Sequence, residues 1–199
     1  MKIIQTQNLT KSYGQTRGII DMNLSVESGD IFGFIGPNGA GKSTTIRTLL
    51  GLISPTSGSA RIFDKDIVSD HIDILSHIGY MPSEAMFYHG MRVDEVLRMS
   101  ASLRGKKCQT ETSRLCERFG LDTKKKVEEL SLGNRKKVSI VCAFMHEPDL
   151  YILDEPTSGL DPLMQKAFFE LIHERNKQGA TIFLSSHVLA EIQHHCKNA

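Results

Sequence analysis

The segment GPNGAGKST, residues 36–44, combines glycines, a lysine and two hydroxyl side chains at the spacing of a loop that binds phosphate groups. Its glycines allow a tight turn in which successive backbone N–H groups point at phosphate oxygens. A helix that begins at the end of this phosphate loop would add the partial positive charge of its N-terminus. In this pattern Lys42 reaches the β- and γ-phosphates of a nucleotide, and the Ser43 hydroxyl is a ligand of Mg²⁺. The residues expected to hold the nucleotide are Gly36, Pro37, Asn38, Gly39, Ala40, Gly41, Lys42, Ser43 and Thr44.

Two adjacent acids, Asp154 and Glu155, end the apolar run LYIL. Successive residues of a strand point to opposite faces, so two neighbouring acids at a strand end can take two different roles. Phosphoryl transfer needs a carboxylate that holds the metal ion and a group that orients the attacking water. We therefore predict that Asp154 holds Mg²⁺ through water and that Glu155 is the general base. An acidic transition from strand to turn is the alternative explanation of the same residues.

The elements that must position these residues alternate between strand and helix patterns. Strands are predicted at residues 2–6, 19–26, 30–35, 59–63 and 78–81, and the segments LYILDEP and TIFLSSH indicate two further buried strands. The middle third of the chain has helical spacing, first from Val93 and last after Ser131. This alternation predicts an α/β core with a parallel sheet and an inserted helical lobe.

A later helix is predicted to open at Asp161, with Asp161 as its N-cap and Pro162 at the first helical position. Its predicted buried stripe consists of Leu163, Ala167, Phe168, Leu171 and Ile172. A last helix is predicted at residues 188–196.

In this order, the motifs resemble those of the ATP-binding-cassette (ABC) ATPases, specifically their nucleotide-binding domains, and the resemblance covers essentially the whole chain. The phosphate loop matches the family's Walker A motif, LYILDEP matches Walker B, and SGLD, which ends at Asp161, matches the D-loop. SSH ends at His187, which matches the switch histidine. KSYG places Tyr13 where the family stacks an aromatic ring on adenine. LSLGN, residues 130–134, stands where the family has its signature, usually LSGGQ.

The resemblance implies the fold: a P-loop NTPase core of the α/β class with a mixed or parallel sheet, an antiparallel β-subdomain at the N-terminus and an inserted α-helical subdomain. The whole chain, 1–199, would be one nucleotide-binding domain. Residues 1–84 and 147–199 would form the core, and residues 85–146 would form the helical subdomain that carries the signature.

The resemblance also implies a mechanism in which two such domains pack head to tail around two ATP molecules. Ser131 and Gly133 of one domain would then cover the γ-phosphate held by the other, and Asp161 is expected among the nucleotide-binding residues. The catalytic residues implied are Glu155, His187 and Lys42, with ATP and Mg²⁺ as ligands. The partners implied are a second nucleotide-binding domain, identical or different, and a separate transmembrane permease on whose cytosolic face the protein would sit. Export of a drug, antibiotic or lipid is the expected task.

Two departures from the family pattern stand out. Leu132 and Asn134 replace the usual Gly and Gln of the signature, while the serine and the second glycine remain. In PSEAMFY the family's usual Gln after the proline is replaced by Ser83, followed by Glu84. Ser83 is too short to reach Mg²⁺ as Gln does, so we predict Glu84 as a metal ligand. A bridging water or looser coupling are the alternatives.

Composition and charge argue against several other classes of function. A net charge of +1 over 199 residues argues against binding nucleic acid through the whole surface. The four cysteines have no CxxC spacing and are predicted to be reduced thiols of a cytosolic protein. The basic runs at 124–126 and 135–137 are interpreted as solvated faces. The family normally continues well beyond the switch histidine, so the sequence is expected to be a fragment.

Four alternative functions are compared with the sequence at this stage. A ribosome-acting ABC ATPase usually joins two cassettes in one chain, and here there is one. A chromosome or DNA-repair ATPase would carry a long coiled coil, for which no sustained heptads exist. A GTPase would need an Asn-Lys-x-Asp element, and Asn176-Lys177-Gln178-Gly179 lacks the Asp. A regulatory module that holds ATP without turnover is the alternative from a different class.

Overall fold

The computed structural model describes residues 1–14, 16–84, 86–105 and 107–199, with residues 16 and 17 described by their backbone alone. In chain order the strands are β1 (Lys2–Tyr13), β2 (Thr16–Met22), β3 (Ser25–Glu27), β4 (Ile31–Ile35), β5 (Ser57–Ile62), β6 (Lys65–Asp66), β7 (Ile78–Met81), β8 (Leu150–Asp154) and β9 (Thr181–Ser186). The helices are α1 (Lys42–Leu49), α2 (His71–Ser76), α3 (Val93–Leu103), α4 (Gln109–Arg118), α5 (Leu132–Phe144), α6 (Pro162–Lys177) and α7 (Leu189–His195), with a single 3₁₀ turn at Val127–Glu129.

The first sheet is antiparallel and is built around β1, which pairs with β2, β3 and β5, while β6 extends the sheet beyond β5. Strand β1 pairs with β3 near its start and with β2 near its end, and the register of each pairing is shifted by bulges or irregularities. This sheet corresponds to the antiparallel β-subdomain that the resemblance implies.

The second sheet is parallel, in the order β4-β9-β8-β7. Every residue of β8 and β9 is buried, as expected for parallel strands that are covered on both faces. Alternate residues of these strands supply two hydrophobic clusters. Ile152 and Phe183 pack with Ile46 of α1 on one face, whereas Tyr151 and Leu184 pack with Phe168 of α6 on the other.

The helical middle of the chain shares its core with the parallel sheet. Helix α5 packs against β7 and α3, and its Phe144 ring stacks on Tyr151 of β8 at 4.3 Å between ring centroids. The expected boundary at residue 85 lies outside the described residues, and the division into subdomains stays a prediction. Among the described residues, no helix combines the length and the apolar character that crossing a bilayer requires.

The predicted elements are largely confirmed, with two corrections. The strand predicted at 19–26 is two strands, β2 and β3, separated by two residues. The buried stripe of α6 is correct at Phe168, Leu171 and Ile172, but Leu163 is 69% exposed. Leu163 lies in the first turn of the helix, where the helical spacing is satisfied but no neighbouring element covers the side chain.

Phe168 is buried and Leu163 is exposed, so substitutions at these two positions of α6 should differ strongly in their effect on stability. Phe168 is fully buried and its ring lies 6.1 Å from that of Phe144, so Phe168→Ala is expected to lower the free energy of unfolding by about 3–5 kcal/mol. Leu163→Ala is the matched control and should change it by no more than about 0.5 kcal/mol. Urea unfolding of both variants measures this, and equal losses would contradict the assignment of the buried face.

Candidate active site

The phosphate loop, the two acids and His187 meet at one edge of the parallel sheet. The loop follows β4, Asp154 ends β8, and His187 follows β9. In the sheet register Ile35 pairs with Ser186 and Asp154 pairs with Ser185, so the three segments leave the sheet at the same level. The carboxyl edge of a parallel sheet is the usual ligand site of open α/β folds.

The phosphate loop turns through two glycines in the left-handed region, with φ of +81° at Gly39 and +94° at Gly41. A Cβ atom at position 41 would lie 2.9 Å from a methyl carbon of Ile19 and 3.1 Å from the carbonyl oxygen of Gly18. Both the conformation and the close approach of β2 therefore require glycine there. Helix α1 begins at the next residue, so its first N–H groups lie at the loop, as the sequence predicts.

Lys42 folds back over the phosphate loop from the start of α1. Its ammonium donates hydrogen bonds to the carbonyl oxygens of Gly36 at 2.6 Å and Pro37 at 3.3 Å. It also lies 3.2 Å from Glu155 Oε1. These residues border a cavity of about 380 Å³, lined by Asn38, Gly39, Gly41, Lys42, Ser43, Thr44, Ser83 and Glu155.

Glu155 links the phosphate loop to the switch histidine. Its Oε1 contacts Lys42, and its Oε2 lies 2.7 Å from Nδ1 of His187. The backbone of Glu155 has a φ of +48°, an uncommon left-handed conformation for a residue with a side chain. The chain therefore turns sharply at the end of β8, which leaves Asp154 in the sheet and directs Glu155 between Lys42 and His187.

Asp154 is buried and accepts a hydrogen bond from the Ser185 hydroxyl at 2.6 Å through Oδ1. Oδ2 is then available to a metal ion or to its bound water. Ser43 lines the cavity beside the loop. Hydroxyl and carboxylate oxygens are the ligands that Mg²⁺ prefers, so these two residues fit the predicted metal site.

The structure places Ser83, not Glu84, in the wall of the cavity. Ser83 is half-buried there, whereas Glu84 is exposed and is absent from the lining residues. Glu84 as a metal ligand therefore stays a prediction.

Lys136 was missed from the sequence, and the interpretation of residues 135–137 as a solvated face is wrong at this position. Lys136 is only 2% exposed, and its ammonium donates a hydrogen bond to the carbonyl oxygen of Ser83 at 2.7 Å. Burial lowers the pKa of Lys136 to about 8, and the negative charges of Asp154, Glu155 and Glu84 act in the opposite direction. Helical spacing puts Lys136 on one face with Ile140, which is a signal that the sequence offered.

The signature forms the start of α5, as predicted. Ser131 is its N-cap, and its hydroxyl accepts a hydrogen bond from the backbone N–H of Asn134 at 3.3 Å. A Cβ atom at Gly133 would lie 2.9 Å from the carbonyl oxygen of Gly159, so the signature packs closely on the D-loop of its own chain. Leu132, at the family's usual glycine, is 59% exposed beside this contact. None of the signature residues lines the cavity of the same chain.

The two remaining predicted ligand residues also lie away from this cavity. Asp161 caps α6 and accepts the N–H of Met164 at 3.0 Å, which confirms the predicted cap. Tyr13 ends β1 with its ring 47% exposed and 5.4 Å from the ammonium of Lys11. A larger cavity of about 820 Å³ lies between α3 and α4, but its lining lacks the phosphate loop and the acids. The chemically competent residues therefore converge on the smaller cavity.

The parallel sheet, the glycine loop that leads into α1 and the acids at the end of β8 define the class of a P-loop nucleotide-binding domain. Residues 19–158 match the family model described as ABC transporter. The bacitracin transport ATP-binding protein BcrA of Bacillus licheniformis is 44% identical over 194 residues, which cover 96% of this chain and 63% of that protein. The chain therefore belongs to the ABC transporter family.

Further relatives agree with this family. The probable multidrug ABC transporter ATP-binding protein YbhF of Escherichia coli (strain K12) is 36% identical over 96% of this chain and 34% of its own length. The chain thus spans less than two thirds of both relatives. A solved ATP-binding subunit of an ABC transporter superposes with a TM-score of 0.89 at 34% identity, over 98% of this chain and 83% of that one. CbiO1 from Clostridium perfringens, part of the ABC transporter complex CbiONQ, gives 0.78 at 25% identity, over 98% and 82%.

Proposed function

We propose that this chain is the ATP-binding and ATP-hydrolysing subunit of an ABC transporter, in which two such domains close around two ATP molecules and drive a separate membrane permease. One observation carries the proposal: Glu155 lies between Lys42 of the phosphate loop and His187 of the switch segment. This arrangement puts a candidate base, a phosphate-binding cation and a second proton-carrying group beside one cavity.

Nucleotide binding would begin with an exchange of partners at Lys42. The ammonium of Lys42 contacts two loop carbonyls and the Glu155 carboxylate, and the β- and γ-phosphates offer it a more negative ligand. Ser43 and Asp154 would hold Mg²⁺, which neutralises charge on the phosphate oxygens. With Lys42 engaged by phosphate, Oε1 of Glu155 becomes free to accept a proton from the attacking water.

His187 would act on the same step from the other side. Its Nδ1 lies 2.7 Å from Oε2 of Glu155, a contact that fixes the orientation of the ring, and the imidazolium form would also donate a hydrogen bond from Nε2 to the phosphate. The imidazole therefore orients the base and offers a second group to the γ-phosphate. Its position after β9, in register with β8, maintains the short distance between the two residues.

The second domain would complete the site. Ser131 and Gly133 lie at the N-terminus of α5, where N–H groups and the helix dipole favour an anion, but they do not line their own chain's cavity. A partner chain packed head to tail would bring its signature to this γ-phosphate, with Asp161 and Tyr13 as further nucleotide contacts. The other partner would be a transmembrane permease, on whose cytosolic face this protein would sit, and the names of the relatives, which refer to bacitracin and multidrug transport, support export.

An ATP-binding module without turnover is the second candidate, because Ser83 stands in the cavity wall where the family usually has Gln. Phosphate release from ATP by the purified protein separates the two functions. We expect phosphate release to require Mg²⁺ and to stop when a chelator is added. Without Mg²⁺, ATP should still bind, but with lower affinity. Binding of Mg²⁺ and ATP without any phosphate release would contradict the hydrolytic function and leave the binding module.

A further inference from the structure

The parallel-sheet edge holds two buried lysines, and only one belongs to the phosphate loop. Lys42 and Lys136 are 7% and 2% exposed, and these are the buried lysines of the chain segments that the structure describes. Lys42 contacts Glu155 directly, whereas Lys136 approaches from helix α5, with Asp154, Glu155 and Glu84 as the carboxylates that act on its charge. Both ammonium charges thus act on the acids at the end of β8.

Burial of the Lys136 ammonium costs free energy, which its contacts must offset. A charged group that leaves water loses hydration, and the hydrogen bond to the Ser83 carbonyl at 2.7 Å replaces only part of it. An apolar side chain of similar length, such as Met, would fill the same space without that penalty. Three carboxylates offset part of this cost, and the hydrogen bond that the described residues give the ammonium ties Lys136 to one particular backbone position, the Ser83 carbonyl.

That acceptor belongs to the segment that follows β7 and forms one wall of the phosphate cavity. Helix α5 also packs against β7 itself, so the Lys136 hydrogen bond extends an existing contact beyond the end of the strand. The same helix begins five residues earlier at Ser131, the N-cap of the signature. The segment at Ser83 and the signature are thus joined through a single helix.

We propose that Lys136 is a positioning residue that fixes the Ser83 segment against the cavity and makes this segment move together with the signature helix. The inference rests on the proposed function, because the signature acts on the nucleotide of a second domain. Displacement of the Ser83 segment would shift α5, and with it Ser131 and Gly133, relative to the partner's γ-phosphate. Lys136 would in this way connect the two nucleotide sites of the pair.

The test compares Lys136→Met, Lys136→Arg and the control Lys137→Met in the whole chain. Lys137 is the next residue of the same helix and forms no hydrogen bond or ion pair within the part of the chain that the structure describes. Three readouts are needed: kcat and KM for ATP, the thermal unfolding midpoint, and deuterium uptake by the peptide that contains Ser83.

For Lys136→Met we expect kcat to fall about 10–10²-fold with KM for ATP and the unfolding midpoint unchanged, because a loss of about 1 Å in positioning costs that much. Deuterium uptake at Ser83 should rise. Lys136→Arg, which keeps the donor and the charge, should restore much of kcat, and Lys137→Met should match the unaltered protein.

Two results would overturn the inference: an unchanged kcat in Lys136→Met, or a loss that accompanies a lower unfolding midpoint and is equal in Lys136→Arg. The latter would mean that Lys136 serves packing alone. If the unaltered protein released no phosphate, the proposed function would fail by itself. The deuterium uptake of the Ser83 peptide would still decide whether Lys136 positions this segment.

Discussion

Replacing Glu155 by Gln is expected to lower kcat for ATP hydrolysis by about 10²–10⁴-fold, the usual loss when a general base is removed. The amide keeps the size of the side chain and can still contact His187, but it cannot accept the proton of the attacking water. Because Lys42 and the phosphate loop are intact, the variant should bind ATP and Mg²⁺. Blocked hydrolysis should then trap the closed pair, so the mass in solution should double when both are added.

Glu170→Gln is the matched control for this experiment. Glu170 is an exposed acid of α6. Its carboxylate lies 3.7 Å from the guanidinium of Arg118, a longer distance than Glu155 has to Lys42 or His187. The Glu170→Gln substitution should leave both kcat and the mass in solution unchanged. A Glu155→Gln rate equal to that of the unaltered protein would exclude Glu155 as the base. A monomer that still binds ATP would show that LSLGN, with Leu132 and Asn134, does not close a pair by itself.

Lys42→Met should weaken ATP affinity by about 10–10²-fold and remove hydrolysis. The side chain would lose charge-assisted hydrogen bonds to the β- and γ-phosphates, each worth about 1.5–3 kcal/mol. Met also keeps most of the buried length of Lys42, so the loop that Gly39 and Gly41 shape should keep its fold. Isothermal titration with ATP and Mg²⁺ measures the affinity, and phosphate release measures the turnover.

Lys177→Met serves as the control, because Lys177 is an exposed residue in the last turn of α6. Its affinity for ATP should equal that of the unaltered protein. If Lys42→Met bound ATP with full affinity, the phosphate loop would not be the nucleotide site. The two variants should thus be impaired in different steps. Lys42→Met should lose affinity for ATP, whereas Glu155→Gln should bind ATP and lose turnover.

The order of the motifs along the chain determined the fold class and much of the site. GPNGAGKST between a strand and a helix specifies a loop whose backbone conformation depends on local glycines, so its structure follows from neighbouring residues. Asp154 and His187 stand at the ends of short apolar runs typical of buried strands, and parallel strands bring their carboxyl ends to one edge. The cap at Asp161 is likewise local and was predicted correctly.

Only the tertiary structure decided which side chains meet across elements that are distant in sequence. Glu155 contacts both Lys42 and His187 because its backbone adopts the left-handed conformation. No residue pattern in the sequence predicts this conformation. Lys136 is buried, although it stands in a basic run, because the segment after β7 covers it.

The same reason explains the prediction that placed Leu163 wrongly. Leu163 is exposed in spite of helical spacing. Spacing fixes the face of an element on which a residue lies. Burial and contact depend on what another element places against that face, and this information is distributed over the whole chain.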